Sequence, residues 1–143
     1  MIVVAIVGIL AAVAIPNFMT YQARARQAEA KVILGGTFIA ATSVFFSERG
    51  TYVLSSISDL SFAPVGTPRY SYWFDVNGTP TAIPGGNTAT APCNVNSTPS
   101  GVRASAVAFT AGAKGNIDAD PTCDEWILND SRLLVNTSND VAS

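Results

Sequence analysis

The stretch that decides the fold is MIVVAIVGILAAVAIPNFMTYQA, residues 1–23, which contains no charged side chain. Charged side chains begin directly after this apolar segment, at Arg24, Arg26, Glu29 and Lys31. Residues 1–15 are apolar around the whole helix circumference, so they cannot lie on one side of a small globular core. Such a helix is surrounded either by lipid or by other copies of itself. At ~1.5 Å per residue, the apolar segment is long enough to cross a ~30 Å hydrocarbon layer.

A cleaved secretory signal is the alternative interpretation of the apolar segment. Ala12, Val13 and Ala14 could form a small-x-small cleavage site, but no basic residue precedes the apolar run. The helical pattern also continues past Pro16 without a break. We therefore expect a permanent helix. Because the chain starts inside its apolar stretch, we also expect further residues to precede Met1 in the natural product.

The composition argues against several classes of protein. Hydrophobic residues make up 48% of the 143 residues and charged residues only 13%, and much of the apolar excess lies at the N-terminus. The net charge of −2 and the lack of a Lys/Arg cluster argue against nucleic-acid binding. The chain has no histidine, which removes the commonest general base and the commonest metal ligand. We predict that the protein is not an enzyme and needs no cofactor.

Residues 24–49 continue the helix as an amphipathic segment. Apolar and small residues recur every three or four positions along a predicted packing stripe: Tyr21, Ala25, Ala28, Val32, Gly35, Ile39, Thr42 and Phe46. Gly50 is typical of the residue that follows a helix end. One helix from Met1 to Arg49 would be ~70 Å long, which exceeds the width of a domain this size, so its first half must project.

Residues 50–143 are predicted to form an α+β head. A connecting loop is expected at 51–68, a tight turn at Asn77-Gly78 and a surface loop at 78–101. Strand-like composition occurs at 69–76, 104–113, 125–128 and 132–135. The sequence therefore predicts a long N-terminal helix whose amphipathic half packs on a small antiparallel sheet spanning about residues 69–136, followed by a C-terminal tail.

Two features of the head involve side-chain chemistry. Cys93 and Cys123 are an even count in a chain expected to be exported, which predicts one disulfide that stabilises the head by about 3–4 kcal/mol. Asp118, Asp120 and Asp124 have the D-x-D-x-x-x-D spacing of part of a calcium loop. They lack the glycine and the terminal glutamate of an EF-hand, so solvated turn chemistry is the favoured interpretation over a metal site.

MIVVAIVGILAAVAIPNF, residues 1–18, followed by a charged amphipathic helix, closely resembles the N-terminus of mature type IV pilins. Members of that family begin with a methylated Phe and run FTLIEL before an MIVVAI-like continuation. That hexapeptide, including its glutamate, is absent from this sequence. The resemblance is specific over residues 1–31, whereas the head agrees only in its layout of helix, loop, sheet and disulfide-bounded region.

The resemblance implies a structural subunit that polymerises with copies of itself into an extracellular bacterial filament for adhesion, surface motility or DNA uptake. Before assembly the subunit would sit in the inner membrane and engage the pilus assembly machinery. The predicted filament core comprises Ile2, Val3, Ile6, Val7, Gly8, Leu10, Val13, Ile15 and Pro16. The candidates for polar contacts between subunits are Arg24, Arg26, Glu29 and Lys31.

Two alternative functions stay open at this point. One is a pseudopilin of a type II secretion system, although heads of the major type usually carry a better-formed calcium site and no disulfide. The other is a single-span membrane protein whose small head binds a ligand or a surface.

Overall fold

A computed structural model describes residues 1–118 and 120–142, apart from the side chains of Glu48 and Ala142. Helix α1 runs from Ile2 to Val44 and continues into a wider π-helical turn, Phe45–Arg49. The turn ends at Gly50, which adopts the left-handed conformation (φ 64°) and donates its N–H to the carbonyl of Phe45 at 2.9 Å. A left-handed residue at this position favours glycine, so the predicted helix end at Gly50 is confirmed.

The head contains one antiparallel sheet of six strands, in the order β2-β1-β4-β5-β6, with β3 paired to β4 beyond the end of β1. The strands are β1 Tyr70–Val76, β2 Thr79–Ala82, β3 Arg103–Ala104, β4 Phe109–Gly115, β5 Asp124–Asn129 and β6 Leu134–Ser138. The second half of α1 packs on this sheet. The predicted α+β class, a long helix on a small antiparallel sheet, is confirmed.

Two local predictions about the sheet were wrong. Thr79–Ala82, predicted as loop, forms an edge strand because the Asn77-Gly78 turn, with φ values of 53° and 85°, folds it back onto β1. The predicted strand at 104–113 is instead divided by a turn, in which the N–H of Ser105 donates to the carbonyl of Ala108 at 2.8 Å. The proline in this segment favoured the prediction of a loop. Pro80 is tolerated in a strand here because β2 lies at the edge of the sheet.

The predicted packing stripe of α1 was also wrong, because the helix packs through a different face. The residues buried against the head are Gln27, Ala30, Leu34, Thr37, Ala41 and Val44, which alternate in steps of three and four. Val32, Ile39 and Phe46 of the predicted stripe are 73%, 65% and 78% exposed. The helix therefore has two apolar faces, and only one of them is covered by the head.

The core between helix and sheet is rich in aromatic rings. Phe109 of β4 lies at its centre, with ring centroids 4.8 Å from Tyr52, 5.4 Å from Phe74 and 5.9 Å from Phe38. Separations of this size are typical of tilted packing between aromatic side chains. On one flank Gly36 lets the helix approach Phe62, since a Cβ there would lie 2.8 Å from its ring. Close side-chain packing therefore holds the head against α1.

The connecting segment 51–68 contains one short helix. A 3-10 turn, Ile57–Leu60, begins with a capping box in which Asp59 accepts the N–H of Ser56 at 2.9 Å. Arg49 forms an ion pair with Asp59 at 3.1 Å, which ties the end of the long helix to this turn. Leu60 is buried in the core, so the segment is anchored to the head.

Candidate functional site

The first half of α1 is left uncovered by the head: among the residues that the structure describes, none from 2 to 23 is buried. The helix meets the length and composition of a membrane span, with a mean hydropathy of 2.5 in its most apolar window, and none of that window is buried. Every residue proposed for the filament core is exposed, including Ile2 at 78% and Leu10 at 64%. A soluble monomer would not leave such a continuous apolar surface in water. This surface is the leading candidate for the functional site.

Gly8 and Pro16 do not interrupt the helix in this structure. Apart from its chain neighbours and the adjacent helix backbone, no atom lies within 4 Å of where a Cβ on Gly8 would stand. Pro16 lies inside the helix, and the hydroxyl of Thr20 donates to its carbonyl at 3.1 Å. The head therefore does not limit the size of the residue at position 8 at its Cβ.

The charged residues that follow the apolar segment are placed differently from one another. Glu29 accepts the backbone N–H groups of Arg69 at 2.7 Å and Tyr70 at 3.4 Å, and the hydroxyl of Tyr72 at 3.2 Å. These three contacts fix the start of β1 against α1.

The neighbouring cations divide between the head and solvent. Arg26 donates to the carbonyl of Ile117, and the ammonium of Lys31 lies 4.7 Å from the centroid of the Trp126 ring. Arg24 and Lys31 are both exposed, and of the two only Lys31 contacts the head among the residues that the structure describes.

A buried carboxylate joins the helix, the sheet and the C-terminal tail. Asp124 is fully buried at the start of β5. Its Oδ1 accepts bonds from Gln27 Nε2 at 2.9 Å, Asn136 Nδ2 at 3.0 Å and the N–H of Asp140 at 3.3 Å. Its Oδ2 accepts the hydroxyl of Tyr70 at 2.6 Å and the indole N–H of Trp126 at 2.5 Å. Five donors thus compensate the cost of burying this carboxylate.

This network also raises the pKa of the Tyr70 hydroxyl, first through burial and then through the adjacent Asp124 carboxylate. The phenol therefore stays protonated and keeps donating. Gln27, which joins α1 to the network, was missed in the sequence because a lone glutamine gives no signal of burial. Gln27, Ala30 and Leu34 recur at helical spacing, which could have predicted this buried face. The residues of the exposed stripe have the same spacing, so the pattern did not distinguish the two faces.

The three aspartates considered as a weak metal candidate, Asp118, Asp120 and Asp124, are not brought together as a set. Asp118 and Asp120 lie with Asp140, and one carboxylate oxygen from each falls within 4.8 Å of the others. Asp124, the third residue of this weak candidate set, serves instead as the acceptor of the buried network. Asp140 was missed because it lies far along the chain from the other two.

The carboxyl group of Asp140 has a raised pKa. Burial and, to a smaller extent, the carboxylates of Asp118, Asp120 and Asp124 together raise its pKa to about 6, against the opposing bond from the N–H of Ile117. Protonation of Asp140 therefore becomes easier in the folded chain than in the unfolded chain.

The disulfide prediction is confirmed. Cys93 and Cys123 are bonded, with their Cα atoms 5.5 Å apart and 30 positions apart in sequence. The bond fastens the long loop after β2 to the turn before β5. It therefore holds the segment that leads into Asp124.

The comparisons with known proteins agree with this architecture. The chain is 51% identical over 72 residues to the type IV major pilin protein PilA of Myxococcus xanthus, a match that covers half of this chain and 32% of that protein. The chain is a homologue of type IV pilins. It is also 44% identical over 52 residues to the fimbrial protein EcpC of Eikenella corrodens, which covers 36% of this chain and 33% of that protein. No protein-family model matches the chain.

The pilin homologue spans about a third of the length of these curated relatives. Its apolar N-terminal helix, its α+β head and its disulfide are the features expected of a pilin-like subunit. The resemblance identified from residues 1–31 is thereby confirmed.

Proposed function

We propose that this pilin homologue is a structural, non-catalytic subunit that polymerises through its N-terminal helix into an extracellular type IV pilus-like filament. The observation that carries this proposal is the apolar surface of residues 1–23, which is continuous with a folded head yet unburied in the chain. Bundling such helices removes apolar surface from water at ~25 cal/mol per Å².

The three parts of the chain have distinct roles in this proposal. Residues 1–23 anchor the subunit in the inner membrane before assembly and form the filament core afterwards. Residues 24–49 connect the core to the head, and residues 50–143 face solvent and neighbouring heads. The partners are copies of the same chain and the pilus assembly machinery, and the filament serves adhesion, surface motility or DNA uptake.

Open helical assembly follows from the shape of the subunit. Identical subunits joined through two different surfaces, by a rotation that does not close, produce an open helix. The exposed helix face and the head supply two such surfaces. Arg24, which is exposed next to the apolar segment, is the strongest of the predicted polar contacts between subunits.

The proposal is tested by electron microscopy of material sheared from producing cells, with mass spectrometry to identify the subunit. Long thin filaments composed mainly of this chain are expected. Recovery of the chain only in the membrane fraction, without filaments, would favour a pseudopilin or a single-span protein with a binding head.

A further inference from the structure

The head contains four Asn-x-Ser/Thr triplets, which begin at Asn77, Asn96, Asn129 and Asn136. In an exported protein this triplet is the acceptor motif for attachment of a sugar chain to the asparagine nitrogen, and the attached group is bulky and lies on the surface. Triplets of this kind also arise by chance in a head rich in Asn, Ser and Thr. The surroundings of each asparagine therefore decide which of the four could accept a sugar.

The Asn136 triplet is part of the Asp124 network. Nδ2 of Asn136 donates to Oδ1 of Asp124 at 3.0 Å, and the residue is half-buried on β6. The hydroxyl of Thr137 donates to the carbonyl of Glu125 at 3.3 Å. A sugar on Nδ2 would displace one of the five donors to a buried carboxylate, which costs stability. The fold therefore uses this nitrogen structurally.

The Asn129 triplet is fixed in the turn between β5 and β6. Oδ1 of Asn129 accepts the backbone N–H of Leu133 at 2.9 Å, which sets the orientation of the whole amide. Asn129 and Asp130 are both half-buried. The amide nitrogen is therefore held beside the sheet and is not presented for entry into another protein's active site.

The Asn96 triplet is exposed at its first and third residues but is anchored to the head. Ser97 is half-buried, and its hydroxyl donates to the carbonyl of Asn94 at 2.8 Å. Val95 and Pro99, which flank the triplet, are both buried. Since a transferase has to draw the three residues into its own site, this anchoring opposes modification of Asn96.

The Asn77 triplet differs from the other three because all of its residues, Asn77, Gly78 and Thr79, are exposed. They form the tip of the hairpin between β1 and β2, where Asn77 and Gly78 have left-handed φ values of 53° and 85°. Asparagine and glycine are the residues that favour such a turn. Apart from its chain neighbours, no atom lies within 4 Å of where a Cβ on Gly78 would stand, so the tip has open space around it.

The base of the hairpin holds this tip in place and leaves its acceptor groups unused. Oδ1 of the buried Asp75 accepts the N–H of Gly78 at 2.7 Å. Among the residues that the structure describes, none forms a hydrogen bond with the side chain of Asn77 or Thr79. The amide nitrogen that would receive the sugar and the hydroxyl that completes the motif are thus both available.

We propose that Asn77 is the attachment site for an N-linked sugar chain. The sugar donor is an oligosaccharide joined through a diphosphate to a membrane polyprenol, and the catalyst is a membrane-bound oligosaccharyltransferase. Nδ2 of Asn77 forms a bond to the anomeric carbon of the first sugar while the bond from that carbon to the diphosphate oxygen breaks. Polyprenyl diphosphate leaves with the electron pair of the broken bond, and one proton of the amide passes to a base of the transferase.

The inference goes beyond the proposed function and shares with it only the export of the head. An apolar α1 embedded in the membrane would hold the hairpin tip near the same membrane surface as the lipid-linked donor, which raises their effective concentration. The Asn77 tip also lies outside residues 1–23, the proposed assembly surface. A sugar chain there leaves the proposed filament core unchanged.

Intact-glycopeptide mass spectrometry tests the proposal on the full chain, isolated from producing cells both as filaments and as membrane fraction. A peptide that carries sugar on Asn77 is expected, at an occupancy roughly tenfold or more above that at Asn129 and Asn136, because the fold holds those two amides. The Asn129 and Asn136 peptides of the same sample are the internal controls. Unmodified Asn77, or sugar found only on other asparagines or on Ser and Thr, would overturn the inference.

The two proposals fail separately in this experiment. Filaments in which Asn77 is unmodified would overturn the inference and leave the proposed function standing. Sugar on Asn77 of a chain found only in the membrane fraction, without filaments, would support the inference and count against the proposed function.

Two substitutions at Thr79 give a matched test that keeps the asparagine and the turn. Thr79→Ser retains the hydroxyl of the motif, so the sugar on Asn77 should be retained. Thr79→Ala removes the hydroxyl, and occupancy of Asn77 should fall roughly tenfold or more. Thr79 is exposed and pairs with Val76 as a neighbouring strand residue, so neither change alters the core. Thiol labelling of Cys93 and Cys123 reports that each head has folded. Equal occupancy of Asn77 in the two folded variants would contradict the proposal.

Discussion

The two halves of α1 are both apolar but have opposite surroundings. The first half is the more hydrophobic, yet its side chains are exposed along its length. In the second half Ala30, Leu34 and Thr37 are completely buried. Hydrophobicity alone therefore does not decide which part of a helix packs on its own head. Packing occurs where the head offers both a fitted aromatic surface and polar partners, such as Asp124 for Gln27 and β1 for Glu29.

The contrast predicts that a charge in the first half abolishes assembly while leaving the head folded. Val13→Asp would place a carboxylate among apolar helices, where burial of an unpaired charge costs several kcal/mol. We expect no filaments by electron microscopy and an intact Cys93–Cys123 bond. Val107→Asp, at another exposed valine (77%), is the matched control and should assemble. Normal filaments from Val13→Asp would remove the distinction between the two halves.

For the second half of α1, the largest loss of stability is expected when Asp124, the partner of Gln27, is removed. Asp124→Ala removes the acceptor of five donors, and each donor left buried and unsatisfied costs about 1–3 kcal/mol before relaxation. We expect a loss of roughly 3–5 kcal/mol in the free energy of unfolding, measured by denaturant titration of the full chain in detergent. Asp130→Ala, in the turn after β5, is the control. Equal stability of both variants would mean that the network contributes little.

Matched leucines in the two halves give the next comparison. Leu34→Ala leaves a cavity in the core and should cost about 3 kcal/mol of stability. Leu10→Ala removes an exposed side chain, so the free energy of unfolding of the monomer should not change. Filament yield should show the opposite dependence: Leu10→Ala should weaken assembly although the stability of the subunit is unchanged. A stability loss in Leu10→Ala would show that Leu10 itself contributes to the fold of the monomer.

The smallest expected effect is a pH dependence at the junction between the halves. Because the pKa of Asp140 is raised to about 6 from 3.8, the folded chain binds this proton more tightly than the unfolded chain. Stability should therefore increase as pH falls from above 6 towards 4, and decrease as pH rises through the same window. Asp140→Asn should flatten this part of the profile in thermal unfolding, whereas an unchanged profile would place the titration elsewhere.

The large features of this fold were predictable because their signals are local. An uncharged 23-residue run, a glycine after the last helical turn and an Asn-Gly turn each depend on neighbours in sequence. The face of α1 that packs was not predictable in the same way. Both faces of the helix have apolar residues at helical spacing, and the choice depends on a sheet whose strands follow much later.

The Asp124 network could not be predicted for a related reason. Its donors come from Gln27, Tyr70, Trp126, Asn136 and Asp140, which are brought together only by the completed fold. The D-x-D-x-x-x-D spacing grouped Asp124 with its exposed neighbours, whereas burial gave it a different role. Side chains whose partners are distant in sequence carry no local pattern.

The position of Val141 has a practical consequence for labelling. Val141 and Asp140 line a small pocket with Met19, Thr20 and Ala23, at the point where α1 leaves the head. A dye or affinity tag attached beside Val141 would stand against α1 where its proposed assembly surface begins. The exposed loop at Thr98 is the better site for visualising or displaying cargo, because Thr98 is exposed and does not line this pocket.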